Sequence, residues 1–169
     1  YGKWVEFPIW GGAADDLVAD MDRIGIQATV VSHQAVLSSE IQWGNDEVLK
    51  GMKRHPGRIL GYATCLAVND KLGIDEIRRC MDSGMSAIKL HCYNGIPYDS
   101  AAYSKVWEYA DKLRVPVLLH TWGDLNVYRK IFEKAPNTPI LCGHSGAVNP
   151  NHYVEYAKKF PNVYLELCS

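Results

Sequence analysis

Apolar positions along the chain alternate between two rhythms. In "ADDLVADMDRIG", Leu17, Val18, Met21 and Ile24 recur at helical spacing, and Gly25 follows as a stop. The next segment, "IQATVVSH", is a short apolar run of strand type that breaks off at His33. The same pair then repeats. "NDEVLKGMKRHPG" predicts a helix with Asn45 as N-cap and Pro56-Gly57 as its end, and "RILGYATCL" predicts a strand. "GIDEIRRCMDSG" predicts a helix with Ile74, Ile77 and Met81 on one face, ended by Gly84, and "SAIKLH" the strand after it. "AAYSKVWEYADKLR" predicts a helix capped by Ser100 that turns Tyr103, Val106, Trp107 and Ala110 inward. The strand "VPVLLHT" follows. Two further helices, "DLNVYRKIFEKA" and "NPNHYVEYAKKF", stop before Pro136 and Pro161, and each leads into a strand, "PILCGH" and "NVYLELCS".

Strict alternation of six helices with six strands predicts a parallel sheet with right-handed crossovers. An open doubly wound sheet and a (β/α)8 barrel both satisfy it. A doubly wound nucleotide enzyme would want a Gly-rich turn after its first strand, and no G-x-G-x-x-G is present. No linker or low-complexity segment divides the chain, so residues 1–169 are expected to form a single α/β domain. The longest irregular stretch is "QAVLSSEIQWG", after the first strand, where either fold would build a site.

Composition narrows the partners. A formal net charge of −1 with 22% charged residues gives no basic surface for nucleic acid or an anionic membrane. No apolar run reaches the length of a membrane span. Five cysteines without a C-x-x-C pair point to free thiols in a reducing, cytoplasmic setting. A small-molecule substrate, and a homo-oligomer as the assembly, are the expectations that remain.

Four of the six histidines stand where an apolar run stops: His33, His91, His120 and His144. In a parallel α/β sheet all strand C-termini lie at one end, so these side chains would converge although distant in sequence. Imidazole is the commonest metal ligand and the side chain best suited to proton transfer near neutral pH. Lys89 lies two residues before His91 and should share its side of the strand. Glu166 holds a comparable place in "VYLEL". Each of these could instead bond local backbone or reach solvent, but together they favour a site.

The segments "DLVADMDRIGIQATVV", "RILGYATCL", "GMSAIKLH", "VPVLLHTWG", "ILCGHSGA" and "FPNVYLEL" come in an order that resembles the amidohydrolase-related family. These are metal-dependent (β/α)8 TIM-barrel enzymes of the amidohydrolase superfamily, including the aminocarboxymuconate-semialdehyde decarboxylase type. The resemblance runs from about Asp15 to Leu167, and "VPVLLHTWG" followed by "GHSGA" is its most specific part. It implies that His120 is a metal ligand and that His144 is catalytic. Lys89 and His91 fall in a polar "KLH" segment near the site, while His33 matches no ligand position. Tyr93, Asn94 and Trp122 are where substrate contacts would be sought.

The pattern also departs from the family. No H-x-H pair occurs, and no eighth-strand aspartate. The chain is therefore expected to be a central piece of a barrel without its first and last strands, inactive by itself if those ligands lie elsewhere. For the intact enzyme the resemblance implies a divalent ion, zinc by preference, activating water for hydrolysis of a small amide, lactone or carboxylate. Non-oxidative decarboxylation on the same fold is the alternative, and an inert barrel fragment or binding module the second alternative.

Overall fold

The computed structural model describes residues 13–37, 40–122, 124–146 and 149–167. Six helices alternate with six strands: α1 (Ala14–Ile24), β1 (Thr29–Val31), α2 (Ile41–Arg54), β2 (Ile59–Thr64), α3 (Asp70–Asp82), β3 (Ala87–Leu90), α4 (Ser104–Leu113), β4 (Val117–Leu119), α5 (Leu125–Lys134), β5 (Ile140–Cys142), α6 (Pro150–Lys159) and β6 (Val163–Leu165). All the strands are parallel and stand in consecutive order, β1 to β6. Consecutive order turns the sheet steadily one way, as in a barrel wall. A doubly wound sheet would reverse its order at a switch point.

The strands divide their side chains by face. Ile59, Ala63, Ile88, Leu90, Val117, Leu119, Ile140, Cys142 and Val163 are buried against the helices. The alternate positions form the other face, where Lys89, Leu118, Leu141 and Tyr164 pair in one register row. Helix faces fit the expected periodicity: Val18 and Met21 of α1, Ile74 and Ile77 of α3, and Val106, Trp107 and Ala110 of α4 are all buried. Gly25 ends α1 with φ 80°, a left-handed conformation that costs glycine nothing.

Two expectations are corrected. Asn45 does not cap a helix. α2 begins at Ile41, and Asn45 lies inside it, buried, with its amide bonded to Thr64 of β2 and Glu76 of α3. Those tertiary bonds take the polar atoms a cap would have used. The stretch 34–44 is likewise not one irregular loop, since Gln34–Leu37 is a 3₁₀ turn and the rest enters α2; Ser38 and Ser39 fall outside the described residues. Ser100 does cap, but through a 3₁₀ turn, Ala101–Tyr103, that leads into α4. The cysteines at 65, 80, 92 and 142 are free thiols. Among the described residues, no helix is long and apolar enough to cross a membrane.

Candidate functional site

The C-terminal ends of β3, β4 and β5 place three histidines side by side. His91 follows β3 in extended backbone, which keeps it on the same side as Lys89. His120 follows β4, and its amide donates to the Leu90 carbonyl at 3.3 Å, which ties the two strand ends together. Its carbonyl accepts hydroxyl protons from both Tyr98 and Tyr128, each at 3.0 Å. The backbone of His120 is thus held by two buried tyrosines.

His144 arrives by an unusual turn. It and Ser145 have φ of 58° and 47° within the 3₁₀ segment Gly143–Gly146. Glu166, just past β6, secures them: its carboxylate accepts the His144 amide at 3.3 Å, and its carbonyl accepts the Ser145 amide and hydroxyl at 2.9 Å each. Gly143 is required beside this turn, because a Cβ there would lie 2.7 Å from the Leu119 carbonyl oxygen. The turn sets His144 Nε2 at 3.1 Å from His120 Nδ1.

The rings form one cluster. His91 stacks on His120 with centroids 4.0 Å apart and planes 23° from parallel. Tyr93 lies edge-on to both, at 4.9 and 5.2 Å, and Trp122 lies 5.4 Å from His120 and 6.2 Å from His144. Burial, with the charges of His120 and Lys89, depresses His91 to about 3; burial and the Lys89 charge depress His120 to about 4. Both imidazoles are therefore neutral near pH 7, the form that ligates metals.

One atom of the cluster lacks a hydrogen-bond partner among the described residues. His120 Nε2 is buried and has no hydrogen bond, although most buried polar atoms have one. A divalent cation suits that vacant lone pair, and the donor atoms of His91, Cys92 and His120 all lie within 4.8 Å of one another. The donor set therefore fits a metal ion.

The structure brings together His91, Tyr93, His120, Trp122 and His144, with Lys89 close enough to act on two of the rings. Asn94 is turned elsewhere, its amide bonded to Tyr103 and Ile96. His33 is buried, accepts the Ala35 amide at 3.0 Å and packs edge-on to Trp43. Sequence reasoning passed over Cys92, whose only signal was its place directly after His91, and the tyrosine pair beneath His120.

A family profile described as amidohydrolase matches residues 10–169. The chain belongs to the amidohydrolase family. Among solved structures it is similar to a TIM-barrel protein from Bordetella bronchiseptica, with TM-score 0.75 and 17% identity over 89% of this chain and 58% of that one. It is similar to 4-oxalomesaconate hydratase from Rhodopseudomonas palustris, with TM-score 0.69 and 19% identity over 89% and 58%. It also resembles a dihydroxybenzoic acid decarboxylase from Polaromonas with bound manganese and the inhibitor 2-nitroresorcinol, with TM-score 0.64 and 20% identity over 89% and 66%. The fold is accordingly that of the TIM barrel, and the chain spans 58% of the first two of these structures. No curated protein matches it.

Proposed function

We propose that the protein serves a divalent-metal-dependent lyase that decarboxylates a small, flat carboxylate, in preference to the hydrolase first expected. The observation that carries this reading is the composition of the cluster. Lys89 projects its charge onto neutral His91 and His120, and the aromatic side chains of Tyr93 and Trp122 stand exposed around them. A cation beside aromatic walls favours a planar anion. The hydratase and the manganese-bound decarboxylase with the same fold support a carboxylate substrate over an amide.

His120 would hold the ion through Nε2, which places its ring proton on Nδ1, facing His144 Nε2. A bound divalent ion would act as a Lewis acid on a substrate oxygen. With its Nε2 accepting, His144 carries its own proton on Nδ1; that atom would pass its proton to the substrate carbon as carbon dioxide leaves, while Nε2 takes the His120 Nδ1 proton and solvent then restores the one lost. Lys89 would orient the carboxylate, and Trp122 and Tyr93 would exclude water from the ring.

The test is an assay of metal-loaded full-length protein on hydroxyaromatic carboxylates, scoring carbon dioxide release beside hydrolysis of esters and lactones. Saturable carbon dioxide release that a chelator abolishes is the expected result. Hydrolysis without carbon dioxide would return the reading to a hydrolase, and neither activity would remove both.

A further inference from the structure

Cys92 changes what the histidine cluster can hold. It opens the 3₁₀ turn Cys92–Asn94 directly after His91. That turn brings its sulfur back to the rings, so that donor atoms of His91, Cys92 and His120 share a sphere of 4.8 Å. The thiol is half-buried, and its bond to the Trp122 carbonyl is long, at 3.8 Å. His120 is the second, independent observation. Its Nδ1 faces His144, so the buried Nε2 without a partner is the donor left for the cluster.

We propose that His91, Cys92 and His120 form a binding site for a thiophilic divalent ion, zinc, with the Cys92 thiolate as a ligand. This rests on the reading of His120 as a metal ligand and adds the sulfur that sets the choice of ion. Zinc takes thiolate at about 2.3 Å and imidazole at about 2.0 Å, which puts tetrahedral donor atoms roughly 3.3 to 3.6 Å apart. The cluster must therefore close by about 1 Å on binding. Cys92 exchanges its long bond to the Trp122 carbonyl and its side-chain hydrogen bond with Tyr98 for a metal bond. His91 gives up more: its Nδ1 accepts the Tyr93 amide at 3.2 Å and its ring lies stacked on His120, so ligation turns the ring and breaks both contacts. As the sulfur–metal bond forms, the thiol proton passes to solvent and no electron is transferred. Manganese prefers oxygen donors and gains little from sulfur, so Cys92 selects zinc against it.

The experiment titrates the purified protein with zinc, manganese and cobalt. Cobalt serves as a spectroscopic stand-in for zinc. Wild type is compared with Cys92→Ser, His91→Ala and His120→Ala, each checked for fold by circular dichroism. Expected are one zinc per chain, a sulfur-to-cobalt charge-transfer band, and protection of Cys92 from alkylation by zinc in the wild type, a readout that needs no variant. Cys92→Ser should lose the band and weaken zinc about a hundredfold, while manganese affinity shifts less than about threefold. His120→Ala should weaken both ions. Zinc binding unchanged by Cys92→Ser, without a sulfur–cobalt band, overturns the thiolate site and leaves His120 as a ligand. No binding of any divalent ion by the wild type overturns both readings.

Discussion

His144 and Ser145 carry the most strained backbone near the site. Two successive non-glycine residues in the left-handed region cost roughly 1–2 kcal/mol each. Glu166 offsets part of this through its three bonds to the turn. Strain held by a dedicated partner, with one ring delivered to another at 3.1 Å, points to a working residue. His144→Gly should keep or raise the melting temperature, because glycine adopts this φ freely, whereas His144→Ala retains the strain. Both should lower turnover of the loaded full-length enzyme by roughly a hundredfold or more and leave bound metal in place. Melting curves, metal analysis and kcat measured together decide it, and normal turnover in either variant would remove His144 from the chemistry. The convergence of His91, His120 and His144 was legible because each ends an apolar run, and parallel strands end together. The left-handed turn was not, since neither histidine nor serine announces a positive φ. Tyr98 and Tyr128 under His120 gave no signal in the sequence, because their hydroxyls find the His120 carbonyl only after α5 and the loop before α4 have packed.

Between elements, the link that holds α2, β2 and α3 in place is polar and buried. Asn45 Nδ2 donates to the Thr64 carbonyl at 2.8 Å and to Glu76 at 2.7 Å, while its Oδ1 accepts the Thr64 amide and hydroxyl. Glu76 also takes two bonds from Arg79, which reaches Asp46 at 2.8 Å. Burial alone would raise the Glu76 pKa, but the bonds from Arg79 and Asn45 outweigh it and hold it below the ordinary 4.5. A depressed carboxylate stabilises the fold above its unfolded value, and the contribution is lost as pH falls through the folded one. The melting temperature should therefore drop on acidification below about pH 4.5, and Glu76→Gln should flatten that drop while lowering stability at neutral pH. An unchanged acid limb in Glu76→Gln would show that the network carries no such weight. Asn45 was misread for a plain reason: an Asx residue followed by two acids and a periodic apolar run has the local signature of a helix start. Only the packed neighbour shows that its amide is used across elements instead. Thr64, which this network fixes, stands opposite Lys89 in register, so the link also bears on the strand that carries the site lysine.

Among the described residues, helices cover one face of the sheet, and the other face is partly open. The helices bury one set of alternate strand positions, while among the described residues Val30, Leu60 and Tyr164 on the other set are 38%, 36% and 53% exposed. Leu118 and Leu141 lie half-buried in the same row as Lys89 and Tyr164. In a closed barrel these positions fill the interior in layers. β1 and β6 each pair on one side alone among the described residues, which leaves two strand edges with open backbone groups. An apolar sheet face and two open edges are both association surfaces in water. The 169-residue chain in isolation should accordingly run above its monomer mass of 19.0 kDa in light scattering, increasingly with concentration, and should bind a hydrophobic dye. Replacing Tyr164 with Glu and Leu60 with Lys puts charge on the face without touching the edges' backbone, and should weaken association at least about tenfold if the face drives it. Association that persists in that double variant would assign it to the edges, where proline substitution in β1 or β6 should then reduce it. A monodisperse 19.0 kDa species at high concentration that binds no dye would mean that the exposed row is covered in solution by the chain itself, and that the open face is not its resting state.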